Sequence, residues 1–286
     1  MDYDHNEKAG NQGDMVKHPA LLAALDTIIL SGDARPFKYA DTFAGYAWNP
    51  LLPGDRNRLQ WQSGTGKLPR NAPADINEHV RLWWEWYMSP RPTRSQGLYP
   101  GSSIMAADIC RHRNARFHFT LWDTFDKPIE NLRKFHTKEE ADGTVEINQK
   151  AALATDPAVI EADFLFVDPP GIHDPDRKAS NKDHPDWNRT MIPLLKVRQD
   201  RPSLLWLPHH GLWDEHGNSK YAVDAQGTLG WSWTQVRWLK RSQRAGCVLI
   251  YKLPPAAGQA LRKAVENVTC IAGWKKEING EVVRHS

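Results

Sequence analysis

The chain has 286 residues, 40 % of them hydrophobic and 25 % charged, enough for one large α/β domain or a domain with an inserted lobe. A net charge of +3 permits nucleic acid as a partner without demanding it. The 3 cysteines (Cys110, Cys247, Cys270) are widely spaced with no CxxC, which argues against a disulfide framework or a zinc site. No apolar run approaches the roughly 20 residues of a membrane span, and the polar start Met-Asp-Tyr-Asp-His-Asn-Glu-Lys is unlike a signal peptide. A cytoplasmic protein is expected.

Asp14 to Ser31 carries Leu21, Leu22, Leu25, Ile28 and Ile29 at helical spacing, with Gly32 at a C-cap position and Pro19 in the first turn or at a kink. Phe37 to Asp41 reads as a first strand, followed by Thr42-Phe43-Ala44-Gly45. From Tyr46 to Leu98 the composition shifts to Pro, Gly, Asn and Arg around one amphipathic segment, Ala74 to Tyr87, which holds Trp83, Trp84 and Trp86. Residues 46–98 are therefore expected to form an inserted, mainly helical lobe. Tyr99-Pro100-Gly101-Ser102 reads as a turn feeding a helix from Ser103 to about His112. A strand (Arg116 to Trp122), a helix (Phe125 to Phe135), a weak strand (Thr144 to Ile147) and an apolar strand (Phe164 to Val167) follow.

After a long polar loop come a helix from Trp187 to Val197, kinked at Pro193, and a strand from Ser203 to Leu207. This alternation implies a mostly parallel sheet covered on both faces. Ser232 to Trp238 and Gly246 to Leu253, joined by a basic seven-residue loop, read as a C-terminal antiparallel hairpin. A helix (Ala256 to Glu266) and a strand (Val268 to Trp274) complete the pattern.

The most informative stretch is Ala162 to Gly171. Its apolar strand ends in Asp168-Pro169-Pro170, and two successive prolines can continue neither a helix nor a central ladder. The turn leaves a carboxylate and free carbonyls at the carboxyl end of a strand, where open α/β sheets place their ligands. Enzymes that methylate amines use an acid and a proline carbonyl there to accept hydrogen bonds from an exocyclic NH₂. They usually follow with an aromatic residue that stacks on the extruded base. This chain has Gly171 instead. Asp-Pro-Pro is also a common turn after a strand, and the motif alone does not decide.

Other candidates surround it. Asp41-Thr42-Phe43-Ala44-Gly45 is a small turn after the first strand that would let backbone approach a cofactor, and Asp123 ends a strand where nucleotide-binding sheets often hold ribose hydroxyls. An ordinary turn and a solvated acid are the plain alternatives. Asp14, Lys17 and His18 share one helical face below Ala9-Gly10-Asn11 and could meet a carboxylate or a base, or simply form a charged first turn. His209, His210, Asp214 and His216, with His173, Asp174 and Asp176, are metal-ligand types that a metal-dependent hydrolase could use. They match no familiar ligand spacing, and no metal is expected. Lys240, Arg241 and Arg244 form a basic loop after Trp231, Trp233 and Trp238, either solvated or in contact with phosphates. The 13 tryptophans suit core packing and base stacking alike.

Together these pieces resemble the large-subunit ribosomal RNA adenine-N6 methyltransferases of the J type. Tyr3 followed by Ala9-Gly10-Asn11-x-x-Asp14-x-x-Lys17-His18 is similar to that family's N-terminal signature. Asp41-Thr42-Phe43-Ala44-Gly45 resembles its first cofactor loop, with Phe43 in place of a histidine and Ala47 in place of a glycine. Tyr99-Pro100-Gly101-Ser102 and Asp168-Pro169-Pro170 resemble its further motifs. The resemblance implies a Rossmann-like methyltransferase sheet, built from residues 1–45 and 99–286, and S-adenosyl-L-methionine as cofactor. It implies Lys17 or His18, Asp41, Phe43, Gly45, Ser102 and Asp168 around that cofactor, with Asp123 near the ribose and Asn148 near the adenine. The family has an acid followed by glycine where this chain has Asn148-Gln149.

Asp168, Pro169 and Pro170 would orient the target amine. Tyr3, Asn11, Gly171, Trp187, Trp206, Lys240 and Arg241 would meet the substrate, with Trp187, Trp206 or His173 offering a flat surface in place of the missing aromatic. RNA is expected ahead of DNA as the partner, with a monomer acting away from membranes. A degenerate methyltransferase fold that only binds nucleic acid or a protein partner is the rival from another class, and the histidine-loop hydrolase is the third reading.

Overall fold

The computed structural model describes residues 9–32, 35–51, 64–68, 72–88, 97–173, 184–209, 217–240, 243–274 and 283–286. Its centre is a nine-stranded mixed sheet in the order β11-β9-β10-β8-β7-β1-β4-β6-β5. The strands are β1 (Phe37–Asp41), β4 (Phe117–Asp123), β5 (Glu139–Glu140), β6 (Gly143–Gln149), β7 (Phe164–Val167), β8 (Ser203–His209), β9 (Ser232–Lys240), β10 (Gln243–Lys252) and β11 (Val283–His285). β8, β7, β1, β4 and β6 run parallel, and the strands beyond them at both edges are antiparallel. A separate ribbon, β2 (Trp48–Pro50) with β3 (Leu98–Pro100), joins the two ends of the segment expected as a lobe.

The helices are α1 (Gln12–Leu30), α2 (Glu78–Trp83), α3 (Ser102–His112), α4 (Asp126–Phe135), α5 (Pro157–Glu161), α6 (Ile192–Lys196), α7 (Lys220–Leu229) and α8 (Pro255–Ile271). Successive side chains of a strand point to opposite faces, and the central strands use both. Phe164 and Phe166 of β7 join Tyr39, Phe119 and Leu204 in a core under α1, α3 and α8. Leu165 and Val167 join Ala40, Leu205 and Leu207 in a second core, under Trp187, Leu194 and α7. A strand buried on both faces reads as an unbroken apolar run, which is why Phe-Leu-Phe-Val was recognisable.

α1 has no polar stripe because most of its length is buried. Pro19 lies inside the helix rather than in its first turn, and the cap is Asn11, whose side chain accepts the Asp14 N–H at 3.0 Å. Below it, Asp26 receives both arms of Arg113 (2.6 and 2.8 Å) and His79 Nε2 at 3.1 Å. Burial works against that carboxylate, but the Arg113 and His79 hydrogen bonds prevail and hold it at about 2. This ties α1, α2 and the end of α3 together. The buried residues of α2 and the π-helical turn after it (Trp84–Met88), among them Trp83 and Trp84, belong to the same core as α1.

At the other end of β7, Arg198 is fully buried. Its guanidinium donates to the carbonyls of Val159, Ile160, Ala162 and Pro202 and to Ser203 Oγ, at 2.8 to 3.2 Å. Burial lowers its pKa to about 10, yet it stays charged at neutral pH. It fastens the starts of β7 and β8, and so fixes where their carboxyl ends emerge.

Several expectations need correction. The strand expected over Val268 to Trp274 is helix as far as Ile271, because Leu261, Ala264, Val265 and Val268 continue one buried helical face against α1. β-Branched residues there follow packing rather than intrinsic preference. The basic loop is shorter than seven residues, since the strands stay paired out to Lys240 with Gln243. Tyr99 and Pro100 are strand rather than turn, and α3 begins after Gly101. The segment Trp187 to Val197 is a π-helical turn (Trp187–Met191) leading into α6, with Pro193 tolerated near the α-helical start. Helices α5 and α7 were not anticipated, nor were the short edge strands β5 and β11.

Candidate active site

The parallel strands β7, β1, β4 and β6 end along one edge, and the acids of the sequence line it. Asp41 closes β1, Asp123 closes β4, and Asp168 follows Val167 at the end of β7. Each occupies the position where a parallel sheet presents residues to a ligand.

At Asp168 the decisive neighbour comes from α1. Lys17 Nζ donates to Asp168 Oδ2 at 2.6 Å and lies 2.9 Å from Asp14 Oδ1, one helical turn away. The ammonium also sits 5.0 Å above the centre of the Trp206 ring, on the strand beside β7. Burial opposes the charge on Lys17, but Asp14 and Asp168 outweigh it and raise the pKa. The two acids differ. Burial pushes both upward; Asp14, facing Lys17 and His18 and accepting the Gly10 N–H at 2.7 Å, ends below the ordinary range. Asp168, opposed by the Asp14 charge, ends above it.

His18 is buried on the same helix, and its Nδ1 lies 2.7 Å from the Tyr99 hydroxyl. Burial, followed by the Lys17 charge, drives its pKa down to about 3, so the ring is neutral at physiological pH. It offers no cation to an anionic ligand.

The turn after β1 is built around Asp41. Its Oδ2 accepts from Ser102 Oγ at 2.6 Å and Tyr39 Oη at 3.0 Å, and its Oδ1 from the Phe43 N–H at 3.2 Å. Burial raises Asp41 to about 7 against those donors, so a nearby positive charge would ionise it fully. Gly45 has φ of 60°, a left-handed conformation that glycine adopts without penalty, and its N–H donates to Asp123 Oδ2 at 3.0 Å. The other Asp123 oxygen accepts the Phe125 N–H at 2.9 Å. Gly101 lies so close to the Tyr46 carbonyl that any Cβ would collide with it.

One group in this turn has no protein partner: Thr42 Oγ1 is buried without a hydrogen bond. A buried hydroxyl left unpaired calls for a ligand or a water. With the small turn and two strand-end acids beside it, the donors and acceptors suit a polar cofactor carrying an amino-acid part and a ribose.

No family model matches the chain. The ribosomal RNA large subunit methyltransferase J of Haemophilus influenzae is 26 % identical over 175 residues, and that of Escherichia coli K12 is 25 % identical over 179 residues. The chain is similar to these J-type ribosomal RNA methyltransferases. Each match covers 59 % of this chain and spans 59 % of the length of the J-type protein. A crystal structure of a Legionella pneumophila protein of the DUF519 family superposes with a TM-score of 0.65 at 17 % identity, over 97 % of both chains. That agreement establishes the mostly parallel α/β fold over nearly the whole length.

The other residues singled out for their J-type resemblance fall in different surroundings. Asn11 spends its side chain on the α1 cap. Asn148 is half-buried near the end of β6, opposite Trp122, with its amide bonded to Glu146 at 3.1 Å. Trp187 is buried in the second core, 4.8 Å from the Tyr221 ring, and its indole N–H donates to Asp224. Its faces are packed among core residues. Trp206 floors the Lys17 site, and Pro169, Pro170 and Gly171 follow Asp168 in line.

Tyr3, His210, Asp214, His216, Asp174, Asp176 and Arg241 lie outside the described residues, as do the side chains of His209, Trp238, Lys240 and Arg244. Among the described residues no cluster of three or more His, Cys, Asp or Glu is placed to hold a metal ion. No described helix is long and apolar enough to cross a membrane. The sequence reading missed Thr42, an unremarkable residue whose only signal was its place one step past a strand-end acid. It also left Asp14 out of the site, although the three-residue spacing to Lys17 had marked the pair.

Proposed function

We propose that the chain is an S-adenosylmethionine-dependent methyltransferase whose acceptor is an exocyclic amine in RNA, adenine N6. The observation that carries this reading is Asp168 at the carboxyl end of β7, ion-paired to Lys17 and followed by Pro169 and Pro170. The names of the J-type relatives support RNA as the acceptor and S-adenosylmethionine as the donor. The residues of the β1 turn fit that cofactor: Thr42 with its unpaired hydroxyl, Asp41 with Ser102, and Asp123. When bound, the cofactor would supply an electrophilic methyl group.

The chain's own groups would do the rest. An amino group entering the site donates one N–H to Asp168 and another to a proline carbonyl. Both prolines lack an N–H, so nothing donates back along this backbone. Two accepted hydrogen bonds raise the density on nitrogen and fix the direction of its lone pair. Lys17 favours the charged form of Asp168 against burial, and its second partner Asp14 would keep the ammonium paired as the amine takes its place at Asp168.

Calorimetry with S-adenosylmethionine, and methyl transfer to protein-free large-subunit ribosomal RNA, test the reading. Transfer is expected with the wild type, and Asp168→Ala should lose it while still binding S-adenosylhomocysteine. Absence of cofactor binding refutes the enzyme. Normal transfer by Asp168→Ala refutes the assigned site. A folded protein that binds RNA but no cofactor would favour a degenerate methyltransferase instead.

A further inference from the structure

The glycine after Asp168-Pro169-Pro170 is not an empty place. A Cβ built on Gly171 would lie 2.5 Å from Nδ1 and 2.6 Å from Cε1 of His184, closer than real side chains approach. The imidazole edge therefore fills the space into which any side chain at 171 would grow. The neighbouring backbone holds it there. The His173 N–H donates to the Pro185 carbonyl at 2.9 Å, and His173 bridges Asp186 in parallel register. Asp186 caps the following turn through the Arg189 N–H at 2.8 Å, and Trp187 anchors that turn in the core through Asp224. His184 is half-buried, so part of it faces solvent beside the Asp168 turn.

We propose that His184 is the residue on which the acceptor base stacks, its imidazole supplying from the neighbouring segment the flat surface that Gly171 lacks. The proposal rests on the amine-methylating reading of Asp168. The motif requires a flat group beside the acid to hold an extruded base, and an imidazole over Gly171 stands at the root of the side chain it replaces. The glycine is then part of the arrangement, because a Cβ at 171 would force the ring to shift from its present place. This also assigns the role that the sequence left open among Trp187, Trp206 and His173. Trp187 is committed to the core, and Trp206 lies beneath Lys17.

Three variants and two readouts test it. Stacking on one aromatic ring corresponds to about 5–150-fold in base binding. His184→Ala should therefore raise the KM for protein-free large-subunit ribosomal RNA by a factor in that range. S-adenosylhomocysteine affinity and Tm should remain at wild-type values. His184→Phe should stay within a few-fold of the wild type. Gly171→Tyr should impair RNA binding, and adding His184→Ala should restore it by moving the aromatic back across the gap.

The second readout is quenching of a single-stranded RNA containing 2-aminopurine, which reports stacking without methyl transfer. Quenching is expected with wild type and His184→Phe and should be lost in His184→Ala. Wild-type KM and quenching in His184→Ala overturn the proposal, as does a loss in His184→Phe equal to that in His184→Ala. Intact quenching without cofactor binding would instead refute the methyltransferase reading and leave the stacking surface standing.

Discussion

Replacing Lys17 by methionine isolates the electrostatic heart of the site. The methionine keeps the aliphatic length and the contact with Trp206, but leaves Asp14 and Asp168 facing each other without a cation. Their side chains are 10 % and 17 % exposed, and that of Lys17 is 11 % exposed, so water cannot replace the lost ammonium well. Removing one partner of a buried ion pair destabilises by about 3–5 kcal/mol. In a protein of this size that corresponds to a fall in Tm of about 6–20 °C.

The sign with pH is specific. In the wild type, Asp14 has a lowered pKa, so its contribution is present above the ordinary carboxylate value and disappears as pH falls through the folded one. In Lys17→Met, Asp14 joins Asp168 above that value and Asp168 rises further, so the native state binds protons that the unfolded chain has released. Stability of the variant therefore falls as pH rises through this window. Urea denaturation followed by circular dichroism at about pH 5 and about pH 8 should show the larger deficit at the higher pH. A deficit that is equal at both, or smaller than about 1 kcal/mol at the higher, would refute the assignment of Lys17 as the charge that holds two buried carboxylates. Adding Asp14→Asn should recover part of the loss, since the two sites are coupled.

Thr42→Val removes a hydroxyl with no partner in the protein, so stability should hold or rise, while affinity for S-adenosylhomocysteine falls by about 2–12-fold, the worth of one neutral hydrogen bond. Unchanged affinity in calorimetry would show that the hydroxyl meets no cofactor. Arg198→Met strips the guanidinium from four carbonyls and Ser203, and a loss of about 4 kcal/mol or more is expected in urea unfolding; a loss below about 1 kcal/mol would mean the strand starts are held by packing alone.

What the sequence made legible follows from periodicity and chain order. Phe164 to Val167 could be read because a strand covered on both sides must be apolar throughout, and Asp41, Asp123 and Asp168 could be placed because each ends such a strand. Asp14 and Lys17 were visible as a helical pair, but their meeting with Asp168 was not, since nothing local encodes a contact across 151 residues. α7 escaped notice because its apolar face is small, with Ala222, Ala225 and Leu229 its buried residues. The end of α8 was misread because Val268 and Ile271 favour strands in isolation. His184 was hidden most thoroughly. It lies beyond a polar stretch with no periodicity, and its only trace was the glycine at 171, whose meaning required knowing what stood against it.

The burial of α1 has a consequence for how the protein is made. Residues 12–30 emerge from the ribosome with almost no polar face, and the helix that covers them, 255–271, is synthesised more than two hundred residues later. During that interval the segment bearing Lys17 and Asp14 can pack on α2, α3 and the early strands but lacks α8, the partner it meets along most of its length. Translation takes about 5–20 residues per second, so the exposure lasts on the order of ten seconds or longer. Until then the apolar face that α8 will cover stays open to water or to transient contacts. The helix that completes the charged site is thus closed over only once α8 has been made.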